Sequence, residues 1–151
     1  MTLKELIDQD LKAALLGGDR TKVDTLRGLK SVILYDEVAK GKKDTGISDT
    51  EIITLLQKEV KKRQESADLY LSGGDSARST QELTEKAIIE AYLPKGLTDV
   101  ELDKLVDDII NQMDNPDVSQ MGKIITAAKE KSGGAADGAM LAKLVKEKLV
   151  K

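Results

Sequence analysis

The residues of this chain that could act on a ligand are lysines set beside glycines; its 151 residues include no histidine and no cysteine. The most unusual run is Met121-Gly122-Lys123, followed by Gly133-Gly134-Ala135-Ala136-Asp137-Gly138. Gly122 falls inside an apolar pattern of helical period, where glycine costs roughly 1 kcal/mol relative to alanine. It therefore predicts the close approach of another backbone or of a ligand. Lys123 stands in the first turn of the same helix, where the positive end of the dipole offers an ammonium nothing. Two local rules broken at adjacent positions mark a candidate site, although tight helix packing beside a solvated lysine would leave the same trace. Asp137-Gly138 opens the next helix. Free N–H groups at a helix start can hold phosphate, but Asp137 is a strong cap whose charge repels an anion, so capping is its expected role. The spacing is not that of a phosphate loop, G-x-x-x-x-G-K-[ST].

A second set of cations lies earlier. Lys61-Lys62-Arg63 is the densest basic run, and Arg63, four residues after Glu59, is placed to pair with it along a helix. Arg27 and Lys30 are helical neighbours on the preceding element. If the two stripes faced one side, Arg27, Lys30, Lys61, Lys62 and Arg63 would form a patch able to track phosphates. Otherwise they are solvated helix faces.

What is missing narrows the chemistry. Without histidine or cysteine there is no Ser-His-Asp triad, thiol nucleophile or disulfide, and the usual zinc and haem ligands are lacking. No carboxylate is marked by its neighbours as an acid or base, so no catalytic residue, cofactor or metal is assigned. The aromatics are Tyr35, Tyr70 and Tyr92, with no Phe or Trp, so the stacking platforms typical of single-strand binders are absent. Lys and Arg number 24 against 27 Asp and Glu, a net charge of −3. That balance does not suit a bulk polycation, and DNA is not expected as a partner. No apolar stretch approaches the roughly 18 residues of a membrane span, and the N-terminus lacks the apolar core of a signal peptide. The expected location is the cytoplasm.

The elements that must position these residues are helices. Thr2 with Glu5, Ser48 with Glu51, and Thr98 with Glu101 fit the S/T-x-x-E capping box. Ser119 and Asp137 are further N-cap candidates. Glycine pairs at Gly17-Gly18, Gly73-Gly74 and Gly133-Gly134 supply helix ends. Between these marks the apolar residues recur with period 3.6 and none alternates with period 2. Leu3, Leu6, Ile7, Leu11 and Leu15 stripe the first segment. Ile52, Leu55, Leu56, Val60, Ala67 and Leu71 stripe the third, and Leu83, Ala87, Ile88 and Tyr92 the fourth. The reading is all-α, with seven helices and no sheet. Leu93-Pro94-Lys95-Gly96-Leu97 is the expected boundary. It leaves a four-helix N-terminal bundle over residues 1–93 and a three-helix unit over residues 97–151, the latter near the lower size limit for independent folding.

Charge is uneven within the second unit. Residues 97–118 carry seven acids against Lys104, whereas residues 119–151 carry seven lysines against Glu130, Asp137 and Glu147. The acidic helix is expected to face the basic pair, and lysines late in a helix also complement its dipole.

The order Leu26-Arg27 with Lys30, Lys61-Lys62-Arg63-Gln64-Glu65-Ser66, Glu85 through Tyr92-Leu93-Pro94, Met121-Gly122-Lys123 and Asp137-Gly138 resembles the YqeY family over essentially the whole chain. Its C-terminal part is similar to the tail domain of GatB, a subunit of the tRNA-dependent amidotransferase, which converts misattached Glu or Asp on tRNA to Gln or Asn. The resemblance implies a four-helix domain followed by a small helical tail domain that engages tRNA. It links the chain to carbon–nitrogen ligation with glutamine as donor only by association, because the catalytic parts of that enzyme lie elsewhere. Family members often have Gly-Arg-Ala-Asp-Gly before the last helix; here Ala135 replaces the arginine and removes a cation.

The expectation is a cytoplasmic tRNA-associated accessory module without an active site of its own. Gly122, Lys123, Lys129, Lys143 and Lys146 would form the tRNA contact. The alternative is a protein-interaction module that docks onto a translation-related enzyme such as an amidotransferase or an aminoacyl-tRNA synthetase.

Overall fold

A computed structural model describes residues 1–150. Seven α-helices and no strand are found among the described residues: α1 (Leu3–Gly17), α2 (Arg20–Ala39), α3 (Asp49–Ser72), α4 (Ser76–Glu90), α5 (Asp99–Asn111), α6 (Met121–Lys131) and α7 (Gly138–Leu149). A single 3-10 turn, Val118–Gln120, runs into α6. The chain divides into two compact units, Met1–Leu93 and Pro94–Lys151; Lys151 itself lies outside the described residues.

Caps set the helix starts. Thr2 and Ser48 each accept the N–H of the glutamate three residues on, and those glutamates accept the cap N–H in return. Thr98 accepts the Glu101 N–H at 3.1 Å, but its reciprocal bond is hydroxyl to carboxylate. The sequence Gly-Gly-Asp is used twice in one way. Gly18 and Gly74 take positive φ, +70° and +84°, at the ends of α1 and α3, a conformation only glycine adopts cheaply. The next residue, Asp19 or Asp75, then caps the following helix by accepting from Lys22 N at 3.1 Å or Arg78 N at 3.0 Å. The chain thus reverses in a few residues, and α3 and α4 are joined in this way.

Ser119 does not cap α6. Asp117 takes the capping role for the 3-10 turn, accepting the Ser119 N–H at 3.0 Å and the Ser119 hydroxyl. The turn itself offers the Val118 carbonyl to the first N–H of α6, and Gln120 at the helix start turns its side chain back to accept the Asp117 N–H at 3.3 Å instead of capping α6. These bonds from Ser119 hold the Asp117 carboxyl below its usual range.

In the first unit Ile7, Leu11, Leu26, Leu29, Ile33, Ile52, Leu56 and Ile89 close an aliphatic core. The apolar stripes are narrower than the sequence pattern: Leu15, Leu71 and Leu83 are exposed, while Ala14 and Ile53 are buried. One charge lies inside. Glu37, 1% exposed, accepts Lys4 Nζ on both oxygens at 3.0 Å and the Ile47 N–H at 3.3 Å. It ties the loop between α2 and α3 to the start of α1.

Tyr92, just past α4, donates its hydroxyl to Asp10 on α1 at 2.6 Å. Burial, and then this bond, raise the phenol well above its ordinary pKa. Tyr92→Phe is expected to lower the stability of the first unit by about 1–2 kcal/mol, the range for a part-exposed hydrogen bond to a charged group. Urea unfolding of the full chain measures it, and an unchanged midpoint would show that the bond contributes nothing.

Candidate nucleic-acid interface

The second unit packs Leu102, Val106 and Ile109 of α5 with Ile124, Ala128, Ala136, Leu141 and Val145. With these apolar faces inward, the charged residues of α6 and α7 fall on the outer faces. Lys123, Lys143 and Lys146 are exposed, and Lys129 is half-buried. Lys148 reaches the acidic helix, with its Nζ 2.8 Å from Asp103 and 2.7 Å from Asp107. Hydrogen bonds to these two carboxylates raise its pKa. The expected facing of acidic and basic helices is therefore carried by Lys148 among the described residues. No described carboxylate lies within 4.0 Å of Lys123, Lys129, Lys131, Lys143 or Lys146. These five lysines are thus not ion-paired among the described residues.

The two glycines singled out by the sequence behave differently from one another. Gly122 is the second residue of α6, exposed, and a Cβ there would meet nothing within 4 Å. No other backbone approaches closely at this position. Gly138 does have a close neighbour. A Cβ on it would lie 3.0 Å from Lys129 Nζ and 3.1 Å from Lys129 Cε. The absent side chain lets the Lys129 stem cross the start of α7 and brings its ammonium there. Asp137 caps α7, accepting from Ala139 N at 2.8 Å and Met140 N at 3.2 Å, so the second and third N–H groups of that helix are already engaged.

Of the cations singled out in the first unit, Arg63 and Lys30 are held by carboxylates. Arg63 donates to Glu59 at 2.6 Å and lies 3.9 Å from Glu85. Only 17% of its side chain is exposed. Glu85 is shifted upward by burial and by Glu82, with Arg63 opposing. Gln64 bridges Asp68 and Lys86 at 2.9 and 2.8 Å. Lys30 pairs with Asp8 at 2.7 Å. Lys62 is largely exposed, with Glu59 at 4.0 Å, and Arg27 and Lys61 are exposed. Sequence reading anticipated the Arg63–Glu59 pair but not Glu85, which comes from another helix.

No group of three or more carboxylates able to hold a metal is found among the described residues, and no described helix is long and apolar enough to cross a membrane. A family model described as "Yqey-like protein" matches residues 4–149. The protein named "Altered inheritance of mitochondria protein 41, mitochondrial", from Eremothecium gossypii, is 32% identical over 87 residues, which is 58% of this chain and 46% of that protein. The match spans about half the length of that curated relative.

Proposed function

Since the chain belongs to the family of Yqey-like proteins, we propose that it is a cytoplasmic tRNA-associated accessory module with no active site of its own. In this reading the first unit is a four-helix scaffold, and the second is a tail domain of the kind found in the GatB subunit of the tRNA-dependent amidotransferase. Lys123, Lys143 and Lys146 contact phosphates, and Lys129 adds its charge beside the start of α7. The observation that carries the reading is the set of tail lysines with no described acid partner, next to a single lysine, Lys148, that is used to hold α5. All three tyrosines lie in the first unit, so recognition by the tail rests on backbone charge and shape, not on stacked bases. Charge on a helical tail gives affinity and orientation without chemistry, which suits an accessory to an enzyme that carries its catalytic groups elsewhere.

Filter binding of purified tRNA to the full chain, from about 50 to 200 mM salt, tests this. Affinity should fall steeply with salt. The double variant Lys123→Ala with Lys143→Ala should reduce the log–log slope by about 1.5, two phosphate contacts' worth of counterion release. Absence of binding at about 50 mM salt, or a slope the double variant leaves unchanged, would overturn the proposal.

A further inference from the structure

Gly138 has an ordinary backbone: it is the first residue of α7 and is not among the glycines with positive φ. Nothing in its conformation demands glycine, so the missing side chain matters for the space it leaves. What fills that space is Lys129, whose Nζ and Cε would lie 3.0 and 3.1 Å from a Cβ at Gly138. The other end of Lys129 is held as well. Its carbonyl accepts the Ser132 hydroxyl at 3.1 Å and the Gly134 N–H at 2.9 Å, just past the last turn of α6. Lys129 is half-buried, whereas Lys123, Lys143 and Lys146 are exposed. The ammonium of Lys148 is held by Asp103 and Asp107. Lys129 has no described carboxylate within 4.0 Å, so no ion pair among the described residues uses the charge set beside Gly138.

We infer that Gly138 is a positioning residue for nucleic-acid binding: by carrying no side chain it holds the Lys129 ammonium in place for one phosphate group of the bound tRNA. This role rests on the tRNA reading above. It divides the tail cations into one that is set in advance and several that are not. An exposed lysine gives up rotamer freedom when it meets a phosphate. The Lys129 stem, laid against the start of α7, has given up part of that freedom already, so its contact costs less and fixes where the phosphate sits. Lys123, Lys143 and Lys146 add charge around that fixed point. An uncharged residue that donates nothing to the ligand thereby sets part of the affinity.

In the full chain without tRNA, a nuclear Overhauser contact between the Lys129 Hε and Gly138 Hα protons should be present, and its absence would overturn the positioning role whatever tRNA does. Gly138→Val tests the consequence. Both methyl groups of valine sit on Cβ and obstruct the path of the stem in every rotamer, and net charge is unchanged. Valine is a better helix residue than glycine, so the melting temperature should not fall. Filter binding of tRNA at about 50 mM salt should weaken about two- to tenfold, the range for losing one pre-ordered side chain. The log–log salt slope should fall by about 0.7–0.9, one phosphate contact, as it should in Lys129→Ala. The two changes should not add: once Lys129 is alanine, Gly138→Val should cost nothing further. A Gly138→Val variant that binds like the parent, or one that costs as much without Lys129 as with it and so blocks tRNA directly, would overturn the positioning role alone. A parent chain that shows the contact between Lys129 and Gly138 but binds no tRNA would overturn the functional reading, and this role with it.

Discussion

Lys4→Met is expected to destabilise the first unit by about 3–5 kcal/mol, the cost of leaving a buried carboxylate without its cation, although the Lys4 side chain is itself 44% exposed. Glu37 is 1% exposed, and Lys4 donates to both of its carboxylate oxygens at 3.0 Å. Methionine fills much of the lysine stem's volume but leaves the carboxylate with the Ile47 N–H alone, at 3.3 Å. In a unit of this size about 1 kcal/mol shifts the melting temperature by roughly 4–8 °C, so its transition should fall by some 15–30 °C. Adding Glu37→Gln replaces the stranded charge with a neutral amide whose oxygen can still accept from Ile47. The double variant should recover more than half of the loss, because breaking such a pair costs more than replacing it. Thermal and urea unfolding of the parent, both single variants and the double complete the cycle. A cost for Lys4→Met below about 1 kcal/mol, the worth of a surface pair, would show that Glu37 reaches water in the native state.

That pair was not legible in the sequence, and the reason is physical. Lys4 and Glu37 are 33 residues apart, and a charged residue inside an amphipathic helix is read as facing water. The same distance problem hides Asp10 from Tyr92 and Glu85 from Arg63. Local rules served better. The boxes at Thr2 and Ser48 and the caps at Thr98 and Asp137 depend on neighbours within three residues. Their chemistry therefore shows in the sequence itself. Ser119 misled because Asp117, two residues earlier, is the stronger acceptor and the intervening 3-10 turn supplies the remaining carbonyl.

The apolar stripes identified the helices but not the edges of the buried faces. Leu15 and Leu71 sit at the margin of the 3.6-residue pattern, and which margin is covered is decided by the neighbouring helix. In the candidate interface, residue type was readable and pairing was not. Nothing in the spacing of seven lysines singles out Lys148 as the one whose ammonium meets Asp103 and Asp107. Gly122 and Gly138 look alike in sequence, yet only Gly138 has a side chain across it.

Leu141→Ala is expected to unfold the second unit while leaving the first folded. Leu141 is fully buried among Val106, Ile124, Ala128 and Val145, and truncating such a leucine costs about 2–5 kcal/mol. A single core in a unit of fewer than about 70 residues rarely supplies more than 3–5 kcal/mol, so one substitution consumes most or all of the margin. In the full chain at 25 °C, amide and methyl NMR signals from α5 to α7 should collapse towards random-coil positions, while those of Ile7, Leu29 and Leu56 stay dispersed. A chain that keeps native dispersion throughout would show that the second unit has stabilisation beyond its own core. The same variant separates two meanings of lost tRNA binding. Lys123→Ala and Lys143→Ala change exposed side chains and should leave the dispersion intact while flattening the salt slope. Leu141→Ala should remove the tail's contribution by removing its fold. If tRNA affinity survives in Leu141→Ala unchanged, the phosphate contacts lie on the first unit, where Arg27, Lys61 and Lys62 are the exposed cations to test.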